Sequence, residues 1–344
     1  MPANPSPLTA PSAEDFRAWH RVQSAALAHD RPGEPLPSPA EVEAGLTTAD
    51  RSSRQLLWLL RGSGDEPVAT ATLRLFTDPG RSHLGEVDLT VHPAHRRLGT
   101  GSRLLATVTE AAAAEGRRRL LTEVPAGTPG EGFLATRDFH PVLRLTWLRL
   151  VLAELPDRIG KLPDVPHPGY RLTAWEGVVP DTLAATFTAA RQRMADLPSG
   201  PVDRGEVRWD TAQVRAAAEV VARRGERLLT FAALSEADGS LAGWTEVVLP
   251  AGDTAWDTAG AAGTGEGSGR ARQHDTAVLP AHRGHGLGLW LKAAMLRRIR
   301  AAHPEITEIT TDNADDNRHM LAVNTTLGFR PLRRTVAYQL TLRS

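Results

Sequence analysis

One loop pattern occurs twice in this chain, half a protein apart, and constrains the fold more than any other feature. Arg96-Arg97-Leu98-Gly99-Thr100-Gly101 follows the apolar, strand-like run Val87-Asp88-Leu89-Thr90-Val91. Arg283-Gly284-His285-Gly286-Leu287-Gly288 follows Thr276-Ala277-Val278-Leu279. Both read Arg-x-x-Gly-x-Gly, and Pro-Ala-His precedes each, at 93–95 and at 280–282. Both run into helix-like stretches, Ser102 to Ala114 and Leu289 to Ile299. The duplication implies two copies of one strand, loop and helix unit.

A glycine-containing turn between a strand and a helix start leaves several backbone N–H groups without helical partners, all pointing at one spot that attracts anions. Gly99, Gly101, Gly286 and Gly288 have no Cβ to keep a phosphate away, and Arg96 and Arg283 add charge that offsets a diphosphate. The chemistry suggests a nucleotide-like pyrophosphate. No Gly-Lys-Ser/Thr closes the loops, so they are not P-loops, and their glycines lack the dinucleotide spacing Gly-x-Gly-x-x-Gly.

Downstream of the second loop, residues 310–329 end a strand and carry a short helix into Leu327-Gly328-Phe329. The loops and this segment together resemble the GCN5-related N-acetyltransferase (GNAT) superfamily, specifically at the two loops and at 310–329, with a layout like its tandem two-domain actinobacterial members. The resemblance implies a mixed-sheet α/β (α+β) fold in two tandem GNAT-like acyl-CoA N-acyltransferase domains, with acetyl-CoA as co-substrate and no metal. It assigns the pyrophosphate to Arg283, Gly284, His285, Gly286, Leu287 and Gly288, and in the first half to Arg96, Arg97, Gly99, Thr100 and Gly101. The strand ends Val278, Leu279 and Val91 lie along the same ligand, and a backbone N–H at Val278 or its neighbour would polarise the thioester carbonyl. Asn317 falls at the position near the pantetheine arm. Asn324 falls where many members carry a tyrosine that protonates the leaving thiolate. An amide can hydrogen-bond to that sulfur but cannot protonate it, so the proton would come from water, from the product ammonium, or from Tyr338 on the last strand-like run.

Laid on the first half, the same pattern is degraded. Asp138 stands where the closing glycine belongs, Leu134 at the acid position and Gly127 at the asparagine position. The first half keeps its phosphate loop and is expected not to catalyse.

Attack of an amine on a thioester also needs a base. Glu246, on the strand-like run Trp244-Thr245-Glu246-Val247, is the first choice if it faces the cleft; strand alternation equally allows it to face solvent. Asp275, just before the loop strand, competes, and a water chain is a third route. His282 and His285, like His92 and His95, have a spacing that invites a metal. A helix N-terminus beside an arginine repels cations, however, and no carboxylate completes a ligand set. Trp209, before Thr211, could line an acceptor pocket.

At 344 residues the chain suits two domains. Residues 1–12 read as disordered, 13–152 as the first domain, 153–168, with four prolines, as a linker, and 169–344 as the second domain. In the first copy, helices are expected at 13–28 and 39–47, a hairpin at 55–61 and 67–76, and strands at 119–124 and 143–152. In the second, 170–174, 227–234, 241–249, 273–279, 306–311 and 336–342 read as strands and 181–194 and 211–224 as helices. The Gly/Ala/Thr-rich stretch 251–269 is the insertion that lengthens the second copy, read as a mobile surface loop.

With 40 basic and 40 acidic residues the balance offers nothing to nucleic acid or to an anionic membrane. The absence of cysteine excludes disulfides, thiolate metal sites and a cysteine nucleophile. No apolar run approaches a membrane span and no signal pattern opens the chain, so a cytoplasmic monomer or homodimer acting on a small-molecule amine is expected. The alternative is a non-catalytic acyl-CoA-binding regulatory or interaction module; two loops serving another nucleotide would leave 317–329 unexplained.

Overall fold

A computed structural model describes residues 6–34, 36–48, 52–196, 202–250 and 269–342. Residues 1–5 and, of the expected insertion 251–269, residues 251–268 lie outside the described residues. The chain divides into two compact units, one of Met1–Arg144, Ser199–Glu206 and Thr335–Ser344, the other of Leu145–Pro198 and Val207–Arg334.

In unit 1, helices α1 (Ala13–Asp30) and α2 (Pro39–Thr47) each start at a capping box, Ser12 with Asp15 and Ser38 with Glu41. Strands β1 (Ser53–Arg61), β2 (Pro67–Phe76) and β3 (Leu84–Val91) form an antiparallel meander. Helix α3 (Thr100–Ala114) then crosses over to β4 (Arg119–Pro125), which lies parallel to β3. Leu104, Leu105, Val108 and Ala112 form the stripe by which α3 sits on the sheet, in a core with Trp58, Leu73, Val87 and Leu120. The short helix α4 (Pro129–Ala135) adds Leu134 to that core.

Unit 2 repeats the order. Strand β6 (Tyr170–Glu176) and helices α6 (Asp181–Ala195) and α7 (Thr211–Arg223) lead into the antiparallel strands β7 (Arg227–Ser235), β8 (Leu241–Leu249) and β9 (Arg270–Val278). Helix α8 (Leu287–Ala302) crosses to β10 (Glu308–Ala314), parallel to β9, and α9 (Arg318–Leu327) follows. Every residue of β8 is buried, as expected of a strand covered on both faces.

Two sequence readings are corrected. The strands expected to close each half are exchanged between units. The part of β5 (His140–Val151) from Leu145 onward pairs antiparallel with β10 in unit 2. The part of β11 (Arg330–Thr341) from Thr335 onward pairs antiparallel with β4 in unit 1. The stretch 153–168 is not a free linker: α5 (Asp157–Lys161) and its flanking turns bury Leu155, Ile159 and Pro163 within unit 2. Its prolines fix short helical turns between those apolar residues. A segment between α6 and α7 also belongs to unit 1, where Asp203 meets His83 at 3.1 Å and Arg119 at 3.2 Å.

Candidate active site

The two Arg-x-x-Gly-x-Gly loops have the same backbone. Gly284 and Gly286 have φ of +83° and +72°; Arg97 and Gly99, at the same places in unit 1, have +64° and +78°. Glycine adopts this left-handed conformation freely, whereas Arg97 holds it against the Cβ clash that disfavours other residues. In each loop the arginine Nε donates to the carbonyl five residues earlier, Arg283 to Val278 at 3.3 Å and Arg96 to Val91 at 3.1 Å. The first intrahelical bonds are Trp290 N–H to Gly286 O and Arg103 N–H to Gly99 O, both 3.1 Å. The amides of Leu287 and Gly288, like those of Thr100 and Gly101, therefore precede the helix ladder and are free to meet an anion.

The loops differ in charge. Arg96 is held by both oxygens of Asp30, at 2.6 and 2.8 Å, so its guanidinium is already neutralised. Arg283 has no carboxylate partner among the described residues. The loop of unit 2 is also lined by side chains that sequence reasoning did not connect to it. Tyr170 Oη lies 3.1 Å from His282 Nδ1, the His285 ring stands 5.5 Å from the Tyr170 ring, and His167 stacks on Trp290 at 4.2 Å. The first two depend on β6 lying near the loop, a tertiary fact that no local pattern announces.

Beyond each loop the parallel strands part. β9 and β10 pair only from Arg270/Glu308 to Arg272/Thr310, and β3 and β4 only from Leu84/Arg119 to Glu86/Leu121. The open forks, from Gln273 to Val278 and from Val87 to Val91, leave strand backbone unpaired beside the phosphate loop. An elongated ligand carrying a diphosphate could meet the loop with that group and lie along the unpaired strand backbone.

The fork strand of unit 2 carries a β-bulge. β8 and β9 keep one register from Gly243/Val278 to Thr245/Thr276 and resume at Val247/Gln273, so His274 and Asp275 together oppose Glu246. The β2 and β3 pairing of unit 1 runs from Ala69/Val91 to Leu75/Gly85 without a shift.

Glu246 is 3% exposed and points to the face covered by α6, where its Oε2 takes a hydrogen bond of 2.5 Å from Arg191 Nη2. The other Arg191 nitrogen reaches Asp275 at 3.3 Å. Both candidate bases thus meet on one guanidinium, which the Phe187, Trp209 and Trp244 rings surround at 4.9, 4.9 and 5.7 Å. Trp209 joins this cluster. Burial pushes the Glu246 carboxyl above the ordinary carboxylate range, although Arg191 pulls it back. Glu246 is thus a buried carboxylate held in place by Arg191, a neighbour that no local sequence pattern announces.

Asn324, fully buried on α9, donates from Nδ2 to Asn313 Oδ1 on β10 at 2.5 Å, and its own Oδ1 has no partner among the described residues. Asn317 caps α9, its Oδ1 accepting from Met320 N–H at 3.2 Å. Tyr338 is a correction. It lies in the part of β11 that pairs with Thr122 of unit 1, buried in that unit's core, so it is not a second donor for unit 2. Strand exchange is the reason, and burial raises its phenol above the ordinary value.

These features are those of an acyltransferase. Residues 18–137 match the model of the Acetyltransferase (GNAT) family, and over nearly its whole length the chain is similar to tandem GNAT proteins. It is 29% identical over 292 residues to the mycothiol acetyltransferase of Tsukamurella paurometabola, a match spanning 83% of this chain and 88% of the relative. A tandem GNAT protein from the clavulanic acid biosynthesis pathway superposes with a TM-score of 0.78 at 29% identity, over 98% of both chains. A GCN5-related N-acetyltransferase from Sphaerobacter thermophilus shares the fold at 16% identity and a TM-score of 0.69, over 97% of this chain and 95% of its own. No helix among the described residues is long and apolar enough to cross a membrane.

Proposed function

We propose that unit 2 transfers the acetyl group of acetyl-CoA to a primary amine of a small molecule or peptide, by direct attack of the amine on the thioester. The observation that carries this reading is the conjunction in one fork of an uncompensated Arg283, a bulged strand and a buried carboxylate opposite the bulge. Acetyl-CoA, when bound, supplies an activated acyl group. Amides of the 284–288 loop and Arg283 would hold its diphosphate, and strand backbone near Val278 would lie along its pantetheine arm.

Glu246, alone or with Asp275, takes the proton from the acceptor's ammonium so that the neutral amine attacks; Arg191 keeps both carboxylates oriented. Asn324 offers an amide to the departing sulfur, whose proton comes from water or from the nitrogen of the collapsing tetrahedral intermediate. Two relatives named for mycothiol and clavulanic acid support a small-molecule acceptor.

The Arg191 contact favours a second reading, a non-catalytic acyl-CoA sensor, because it occupies the carboxylate that would act as base. Calorimetric titration with acetyl-CoA, using free CoA and ATP as controls, followed by an amine screen for thiol release, separates the readings. One CoA-selective site with amine-dependent thiol release supports transfer. Binding without release supports the sensor, and no binding removes both.

A further inference from the structure

Lys292 lies on α8, six residues after the capping Gly286, and is 2% exposed. No carboxylate approaches it among the described residues. Its ammonium donates to Gln273 Oε1 at 3.0 Å and lies 5.2 Å from the centre of the Phe329 ring. Burial lowers its pKa to about 7. A lysine so placed is costly and nothing in the transfer chemistry uses it.

Its partner shows what it does. A backbone carbonyl can only accept, so the Glu246 carbonyl fixes which end of the Gln273 amide faces it, Nε2, and leaves Oε1 to the lysine. Nε2 reaches the Glu246 carbonyl at 2.7 Å, Thr245 Oγ1 at 2.9 Å and Thr276 Oγ1 at 3.3 Å, while the two threonine hydroxyls lie 2.8 Å apart. Gln273 and Thr276 flank the bulged pair His274 and Asp275, and Thr245 and Glu246 are their neighbours on β8. The network therefore clasps both ends of the bulge and ties it to the helix behind the sheet.

Unit 1 provides an internal comparison. Six residues after its capping Gly99 stands Leu105, and one residue past the last paired rung of its fork stands Val87, where unit 2 has Gln273. Opposite that strand, Ala71 occupies the place of Thr245. The polar clasp and the bulge are absent together.

From this geometry we infer that Lys292 and Gln273 are positioning residues for unit 2: they set the β9 bulge, and with it the placing of Glu246 and Asp275. The inference extends the acyl-transfer reading, and its test has one part that does not depend on it. Hydrogen–deuterium exchange on the full-length protein, without ligand, reads the peptide spanning 273–276. Lys292→Met should accelerate exchange there at least tenfold while leaving distant peptides of unit 2 unchanged or slower, because a buried cation has been removed. Gln273→Leu should do the same.

In turnover assays each single change should lower kcat about tenfold with KM for acetyl-CoA within twofold, and the double variant should lose no more than either single one. Unchanged local exchange in both variants, acceleration spread over the whole unit, or additive losses in kcat would overturn the inference. A wild-type protein that releases no thiol would refute the transfer reading alone, since the exchange result would still decide the role of the clasp.

Discussion

The two phosphate loops share a backbone, and the forks beside them differ in what fills them. Behind the fork of unit 1 stand Ala71, Val87, Leu89 and Leu105; behind that of unit 2 stand Thr245, Gln273, Thr276 and Lys292. Thr72 occupies the place of Glu246, and Leu134 the place that the sequence pattern gives to Asn324. Apolar residues in the first set lower the cost of folding, whereas the second set is stable only because each polar group finds a partner. On the proposed reading, the loop geometry alone does not make a reactive cleft. Unit 1 retains Arg96, Arg97, Gly99, Thr100 and Gly101 in the phosphate-cradling conformation, yet Asp30 has taken up the charge of Arg96.

The most demanding test of this division concerns the base. Glu246→Gln should reduce kcat by roughly 10²-fold or more, the scale of a lost general base. Thr72→Val in unit 1 should leave it within twofold. Steady-state kinetics at saturating acetyl-CoA decide the matter, and equal losses would place chemistry in both units. Transplanting one member of the polar set should show its cost: Leu105→Lys puts an ammonium in a core with no Gln273 to receive it. A loss of roughly 3 kcal/mol of stability is expected, read as a lower melting temperature.

The loop charges come next. Arg283→Ala should weaken acetyl-CoA binding by about 10- to 100-fold, as loss of a charge-assisted contact does, while Arg96→Ala should change turnover less than twofold. Calorimetry and kinetics on the same samples separate binding from chemistry, and equal sensitivity would mean that both loops serve the active fork.

The last test reads a slope. Lys292 has a pKa of about 7 in the fold and roughly 10.4 in the unfolded chain. Between those values the unfolded chain holds a proton that the folded chain lacks, so stability rises with pH across the window, falls as pH drops toward about 7 and levels off below it. Lys292→Met should flatten that dependence and add stability at pH 6. A wild-type stability curve that is level from pH 7 to pH 10 would show that the ammonium is better solvated than its surroundings indicate.

Much of this architecture is legible in the residues, because the signals are local. Gly286 and Gly99 mark left-handed caps, Ser12 and Ser38 mark helix starts, and the run 241–249 reads as a hairpin strand where β8 lies. Pairing is what local patterns do not record. Leu143–Leu152 and Val336–Leu342 both read as apolar strands, and neither pattern says which sheet it joins, so Tyr338 was assigned to the wrong unit. The bulge opposite Glu246 is a property of register between two strands. Lys292, followed by two alanines in an amphipathic helix, reads as a surface residue until α8 is seen lying on Gln273. The contact between Arg191 and Glu246 joins residues on α6 and β8 for the same reason.

The exchange of strands also orders events during synthesis. Domains generally fold in sequence as they leave the ribosome, the first before the second. Here the sheet of unit 1 lacks its β11 edge until residues 335–341 have been made, and its Asp203 contacts with His83 and Arg119 wait for the middle of the chain. The amino-terminal half is therefore completed last. A fragment ending at residue 152 would carry β5 without β10 to pair with and would expose β4 as an open edge, so dividing the gene at the apparent repeat boundary should yield two aggregation-prone pieces rather than two folded domains.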